Sequence, residues 1–134
     1  MIHANSYEIE TRSPIAASII GELRKHALMV EEIEPQTLRD AMDSGELWQV
    51  IDVREPWEIE IARIKGTIDI PMGSLVSRLA ELDPARATAV LCHSGVRSLR
   101  VATFLSENGF ERVANVSGGI DRWSMTADPA IARY

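Results

Sequence analysis

The stretch Ala89-Val90-Leu91-Cys92-His93-Ser94-Gly95-Val96-Arg97-Ser98 decides how the rest of the chain is read. Three apolar residues run into the only cysteine of the sequence, and a short polar loop holding one glycine follows. Arg97-Ser98-Leu99-Arg100-Val101-Ala102-Thr103-Phe104-Leu105 then has helical spacing. The pattern describes a buried strand that delivers a thiol to a tight loop opening directly into a helix. Such a loop turns backbone N–H groups inward, and the helix N-terminus adds partial positive charge at the same spot. Negative charge is favoured there, and with it the thiolate of Cys92. Sulfur or anion chemistry on one thiolate is the expectation.

Composition bounds the remainder. At 134 residues, with 46% hydrophobic and 25% charged residues, the chain has the size and balance of one soluble globular domain. A net charge of −6 without a basic block argues against a nucleic-acid or anionic-membrane binder. It also makes the local cluster of His93, Arg97 and Arg100 stand out. One cysteine cannot form an internal disulfide, which fits a reducing compartment. No apolar run approaches membrane-spanning length, and no secretory signal pattern opens the sequence. The expected location is cytoplasmic.

Outward from the central stretch, helical and extended patterns alternate. Residues 1–12 are polar and lack a period. Ser13-Pro14 reads as a helix start, and Ile15, Ile19, Leu23, Ala27 and Val30 continue at helical spacing, predicting an amphipathic helix of about four turns. Glu31 to Glu34 reads as a short edge strand. Pro35 opens a second helix that Ser44-Gly45 closes. Leu47 to Val53 is a strand, Pro56 begins a short helical segment, and Thr67 to Pro71 is a brief strand. Ser74 to Leu82 reads as a helix, Thr88 to Leu91 as a strand, and the helix after the cysteine loop stops at Asn108-Gly109. Arg112 to Val116 is the last strand, and Ser117-Gly118-Gly119 turns into a short helix from Ile120 to Ser124. The tail from Asp128 to Tyr134 is expected to order only by packing on the body. This alternation predicts an α/β fold, a mainly parallel five-stranded sheet with helices on both faces. The boundary is drawn between an N-terminal extension at 1–32 and a domain at 33–134. Ligands of such sheets gather beyond the carboxyl ends of the strands, where Asp52-Val53-Arg54, Cys92 and Gly118-Gly119 all fall.

The frame C-x-x-G-x-R-S from Cys92 to Ser98 resembles the active-site loop of a rhodanese, or sulfurtransferase, domain. Two further stretches agree in order and spacing: Asp52-Val53-Arg54-Glu55-Pro56-Trp57-Glu58 with Gly66-Thr67-Ile68-Asp69-Ile70-Pro71, and Gly118-Gly119-Ile120-Asp121-Arg122-Trp123. Together they span about residues 33–125. The resemblance implies a rhodanese-like fold and a persulfide carried on Cys92, formed when the thiolate attacks the outer sulfur of a donor such as thiosulfate. The loop of His93, Ser94, Gly95, Val96, Arg97 and Ser98 would bind the substrate. Its amides would stabilise the anionic sulfur, Gly95 would let the backbone turn inward, and Arg97 would offer a planar fork to an anionic donor. Asp52, Arg54, Gly118 and Gly119 would support it. Neither a cofactor nor a metal is implied. The acceptor would be a thiol, cyanide or, as the ending Gly118 to Tyr134 suggests by its likeness to rhodanese domains fused to carrier-activating enzymes, a sulfur-carrier protein. Where many members read Gly-His-Ile, this chain has Ala62-Arg63-Ile64, so Arg63 would add positive charge near the mouth.

Each residue also has a plainer reading. Cys92 could be a small buried hydrophobe, and Arg97 a surface cation at a helix start, where the dipole disfavours it. That awkward position argues for an anion beside it. His93 is expected as an exposed loop residue, Asp52 and Arg54 as loop-fixing groups, Trp57 and Trp123 as packing residues, and Gly118-Gly119 as a turn. The resemblance leaves rivals too. A phosphatase or arsenate reductase of the same fold typically has one residue more between cysteine and arginine than the four found here. Non-catalytic docking modules commonly lack the cysteine.

Overall fold

The computed structural model describes residues 14–19 and 30–134, and every strand of its single five-stranded sheet runs parallel, in the order β1-β5-β4-β2-β3. The strands are β1 (Val30–Ile33), β2 (Gln49–Asp52), β3 (Ile68–Asp69), β4 (Thr88–Leu91) and β5 (Val113–Val116). Within residues 30–134 the α-helices are α1 (Pro35–Asp43), α2 (Pro56–Ile61), α3 (Val96–Glu107) and α4 (Gly119–Thr126), and the described residues 14–19 are helical as well. Because all strands point the same way, Asp52, Leu91 and Val116 finish at one edge of the sheet. No helix among the described residues is long and apolar enough to cross a membrane.

With side chains alternating between two covered faces, apolar residues can follow one another directly in these strands, as in Val50-Ile51 of β2 and Ala89-Val90-Leu91 of β4. Val50, Ala89, Leu91, Ala114 and Val116 join Leu38, Ile120 and Trp123 on the face covered by α1 and α4. Ile51, Val53, Val90 and Val113 join Val101, Ala102 and Leu105 of α3 on the other. Cys92 continues the parity of Val90 and so comes off the strand on the side of α3. Both faces are covered, and all residues of β2, β4 and β5 are buried.

Three expectations need correction. The helix over residues 14–19 leaves Ile15 and Ile19 exposed, and Val30, placed at the end of that apolar stripe, belongs to β1 instead. Residues 20–29 of the expected helix lie outside the described residues. β1 pairs with β5 from Val30 onward, so the sheet starts just ahead of the boundary drawn at 32/33. Finally, Ser74 to Leu82 is not an α-helix but two single 3-10 turns, Met72–Ser74 and Leu79–Glu81. Gly73 weakens helical propensity there, and the Ser77 hydroxyl donates to the Ser74 carbonyl at 3.0 Å, a local bond that competes with a helical ladder. Leu75 and Leu82 are still buried while Val76 is exposed.

The turn between β5 and α4 sets the strand ends in place. Gly118 and Gly119 both have positive φ, at 70° and 60°. The first amides of α4 then reach the cysteine loop: Ile120 N donates to the Cys92 carbonyl at 2.9 Å and Asp121 N to the His93 carbonyl at 3.1 Å. A Cβ on Gly119 would lie 2.4 Å from the His93 carbonyl oxygen and 2.5 Å from that of Cys92. On Gly118 it would lie 2.6 Å from Arg122 Cβ, an atom fixed to the backbone of α4 that no change of rotamer removes. Gly119→Ala and Gly118→Ala are therefore each expected to cost about 2–4 kcal/mol, combining backbone strain with overpacking. Urea melts of the two variants check both losses.

Candidate active site

Cys92 is 1% exposed, and its sulfur is met by polar groups from the loop that wraps it. The Gly95 amide donates to Sγ at 3.1 Å and the Ser98 amide at 3.3 Å. Gly95 caps α3 with φ at 101°, a left-handed turn that an L-residue adopts only under strain, and it is this turn that aims the amides inward. Ser98 is the third residue of α3, so the sulfur sits at the positive end of a twelve-residue helix. The Ser98 hydroxyl lies 3.2 Å from Sγ.

That hydroxyl is held from behind. It donates to Asn115 Oδ1 at 2.6 Å, while the Asn115 amide nitrogen donates to the Gly95 carbonyl at 3.2 Å and to Glu32 Oε1 at 3.1 Å. Asn115 is buried in the middle of β5. A serine has one proton to give. With it on Asn115, the contact to Cys92 is one the thiol donates into; with a thiolate, the hydroxyl proton can turn to the sulfur.

Arg97 is engaged elsewhere than expected. Its two terminal nitrogens grip the Glu58 carboxylate at 2.7 and 2.8 Å. Glu58 also accepts the Glu55 amide at 2.9 Å, which caps α2, and the Tyr134 hydroxyl at 3.0 Å. The Arg97 guanidinium, with help from those two donors, holds the Glu58 carboxyl at about 2 against the opposing effect of burial. In return the hydrogen bond to Glu58 pushes the Arg97 guanidinium further up, and negative charge on Cys92 acts in the same direction. The anion that the electrostatics of Arg97 called for is thus present inside the chain.

Beneath this pair lies a second clasp. Asp52 and Arg54 are fully buried side chains joined at 2.8 Å. All five N–H groups of Arg54 are used: Asp52 takes two nitrogens, and the carbonyls of Glu58 and Ala62 and the Tyr134 hydroxyl take the rest. These residues fix loops, as their sequence context suggested. The tail does pack on the body. Tyr134 stacks on His93 with ring centroids 4.2 Å apart and planes 13° from parallel, so His93 is half-buried rather than exposed. Ser94 and Val96 are exposed at the rim. Trp123 is a core residue, but Trp57 is 60% exposed and meets Tyr134 in a T-shaped arrangement with ring centroids 6.3 Å apart. It sits on the first turn of a six-residue helix whose buried face is Glu58 and Ile59. Arg63 pairs with Asp69 at 2.6 Å, which offsets the charge it was expected to bring to the mouth.

Sequence reasoning passed over Asn115, Glu32, Glu58 and Tyr134 as site residues. Asn115 had a signal, being the one polar residue inside an apolar strand. Glu58 stood inside a quoted motif without an assigned partner, since Arg97 is 39 positions away.

With the geometry in place, comparison with known proteins is decisive. The rhodanese-like domain family matches residues 34–126. The chain is a rhodanese-like domain. It is 40% identical over 111 residues to the chloroplastic rhodanese-like/PpiC domain-containing protein 12 of Arabidopsis thaliana, covering 80% of this chain and 36% of that protein. Against a putative sulfur carrier protein of Bacillus subtilis it is 35% identical over 75% of this chain and 54% of the relative, so the chain spans about half or less of these two proteins. A sulfurtransferase of Allochromatium vinosum is 32% identical and is covered over 97% of its length, with 78% of this chain. Among solved structures, a rhodanese-like domain protein from Staphylococcus aureus superposes with a TM-score of 0.68 at 26% identity, covering 78% of this chain and 99% of that one.

The Glu58–Arg97 pair makes a stability prediction with a defined sign. A carboxyl at about 2 when folded stabilises the fold at pH values above its ordinary range near 4.5, and that contribution is lost as pH falls toward 2. Arg97→Met is expected to cost about 2–3 kcal/mol at pH 7 by leaving a buried carboxylate without its partner. The gap to the parent chain should narrow steadily between pH 4.5 and pH 2 in denaturant melts.

Proposed function

We propose that this rhodanese-like domain is a sulfurtransferase that moves sulfane sulfur from a donor such as thiosulfate to a thiophilic acceptor through a persulfide on Cys92. The convergence of the Gly95 and Ser98 amides on one thiol sulfur carries the reading. In the first half-reaction the Cys92 thiolate attacks the outer sulfur of the donor. A new S–S bond forms, the donor's S–S bond breaks, and its electron pair leaves with sulfite. In the second, cyanide or a thiolate attacks the terminal sulfur and the Cys92 thiolate is restored.

The chain's own groups supply what each half needs. Amides already aimed at the sulfur stabilise negative charge there without reorganising. The Ser98 hydroxyl can exchange Asn115 for the sulfur as charge builds, a change of one rotor with Asn115 held on Gly95 and Glu32. Burial in the α3 face of the core keeps water from the sulfur. The relative named a sulfurtransferase, covered over almost its whole length, supports the same reaction class. The relative named a putative sulfur carrier protein favours a protein thiol or carrier tail as the acceptor. The loop of four residues between Cys92 and Arg97 disfavours a tetrahedral oxyanion substrate.

Mass spectrometry after incubation with thiosulfate should find one added sulfur on the peptide that carries Cys92. Cys92→Ser should retain the fold and lose thiosulfate-dependent thiocyanate formation. Retained activity would remove Cys92 as nucleophile, and turnover of a phosphotyrosine analogue would move the chain to the rival class.

A further inference from the structure

The cations around the sulfur are nearly all spoken for. Arg54 is closed on Asp52, Arg63 on Asp69, and Arg97 on the almost fully buried carboxylate of Glu58. Arg97 is the one whose guanidinium responds to charge on Cys92. Arg100 lies one turn along α3 and is exposed to solvent, where its charge is screened. The loop itself offers two amides and a hydroxyl, all directed at Cys92 Sγ, the atom to which the donor's outer sulfur becomes bonded. A singly charged donor brings one charge to this cradle, on the sulfur that bonds Sγ. Thiosulfate brings a second charge on its sulfonate end, and the guanidinium that would meet it already faces a full opposing charge at 2.7 and 2.8 Å. The field of such a pair falls off faster with distance than that of a bare cation.

We infer that Glu58 is a positioning residue that sets donor specificity: by neutralising Arg97 it favours monoanionic sulfane-sulfur donors, such as thiosulfonates and persulfides, over dianionic thiosulfate. The inference rests on the sulfurtransferase reading above and names the donor class of that site. Both donor types react by the same step. The thiolate forms an S–S bond to the outer sulfur, and the electron pair of the broken S–S bond leaves on sulfite from thiosulfate, on a sulfinate from a thiosulfonate or on a thiolate from a persulfide. Charge balances in each case, and neither needs a further oxidant or reductant.

The test compares thiosulfate with methanethiosulfonate, each with cyanide as acceptor, in the full chain and in Glu58→Gln. Taking the ratio of kcat/KM for the two donors and comparing it between variants cancels their intrinsic reactivities. The glutamine variant should raise the thiosulfate-to-thiosulfonate ratio about tenfold, mainly through KM for thiosulfate, the scale of uncovering one partly screened charge. A purely structural Glu58 would depress both donors together, and an unchanged or lowered ratio overturns the inference. Should the glutamine variant fail to fold, Glu58→Asp withdraws the carboxylate by one methylene and should move the ratio the same way by about two- to fourfold; no rise there overturns the inference equally. Persulfide on Cys92 from both donors with an unmoved ratio removes only the role of Glu58. Persulfide from neither removes the sulfurtransferase reading and this inference with it.

Discussion

The carboxylate of Glu58 has no acceptor position left unused, and the mouth of the site depends on that. One oxygen takes the Glu55 amide and an Arg97 nitrogen; the other takes the second Arg97 nitrogen and the Tyr134 hydroxyl. Through these four bonds a single buried group joins the start of α2, the start of α3 and the tail. Burying a carboxylate is unfavourable unless it is paired and hydrogen-bonded. Here that requirement obliges three segments distant in sequence to meet at one point, beside the cysteine. The Asp52–Arg54 clasp underneath applies the same logic one layer deeper, with Tyr134 common to both.

The cysteine loop is constrained from the opposite side by hydrogen bonds rather than by charge. Its carbonyls at Cys92 and His93 are capped by the first amides of α4, an approach that leaves no room for a Cβ on Gly119. Its Gly95 carbonyl is held by Asn115, and Asn115 also accepts from Ser98. With carbonyls tied outward, the amides of Gly95 and Ser98 are the groups left to face the sulfur. Curvature of the loop and polarity of the cradle are therefore one property: the bonds that bend the backbone are those that orient its dipoles.

Much of this was legible beforehand because it follows from local rules. Apolar runs of strand length bounded by turn residues located β2, β4 and β5, and Pro35 and Pro56 marked helix starts. The segment from Ser74 to Leu82 misled because an i, i+3, i+4 pattern of leucines is shared by an α-helix and by two short turns that bury the same side chains. Gly73 and the Ser77 hydroxyl tipped the balance, and neither alters the apolar pattern. Val30 misled similarly, since one apolar residue at the end of a helical stripe also fits the first position of an edge strand.

What the sequence determined by itself was the alternation of strand and helix, hence a parallel sheet with one functional edge, and the placing of a lone thiol at the N-terminus of a helix. These depend on periodicity and on neighbours within a few residues. What only the tertiary structure decided was the partner of each charge. Arg97 reads in sequence as a fork awaiting a substrate, and in space it closes on Glu58; Tyr134 reads as the end of a tail, and in space it lies over His93. Pairing of buried charges and stacking of rings depend on distances between elements far apart in the chain, and no local rule encodes those distances.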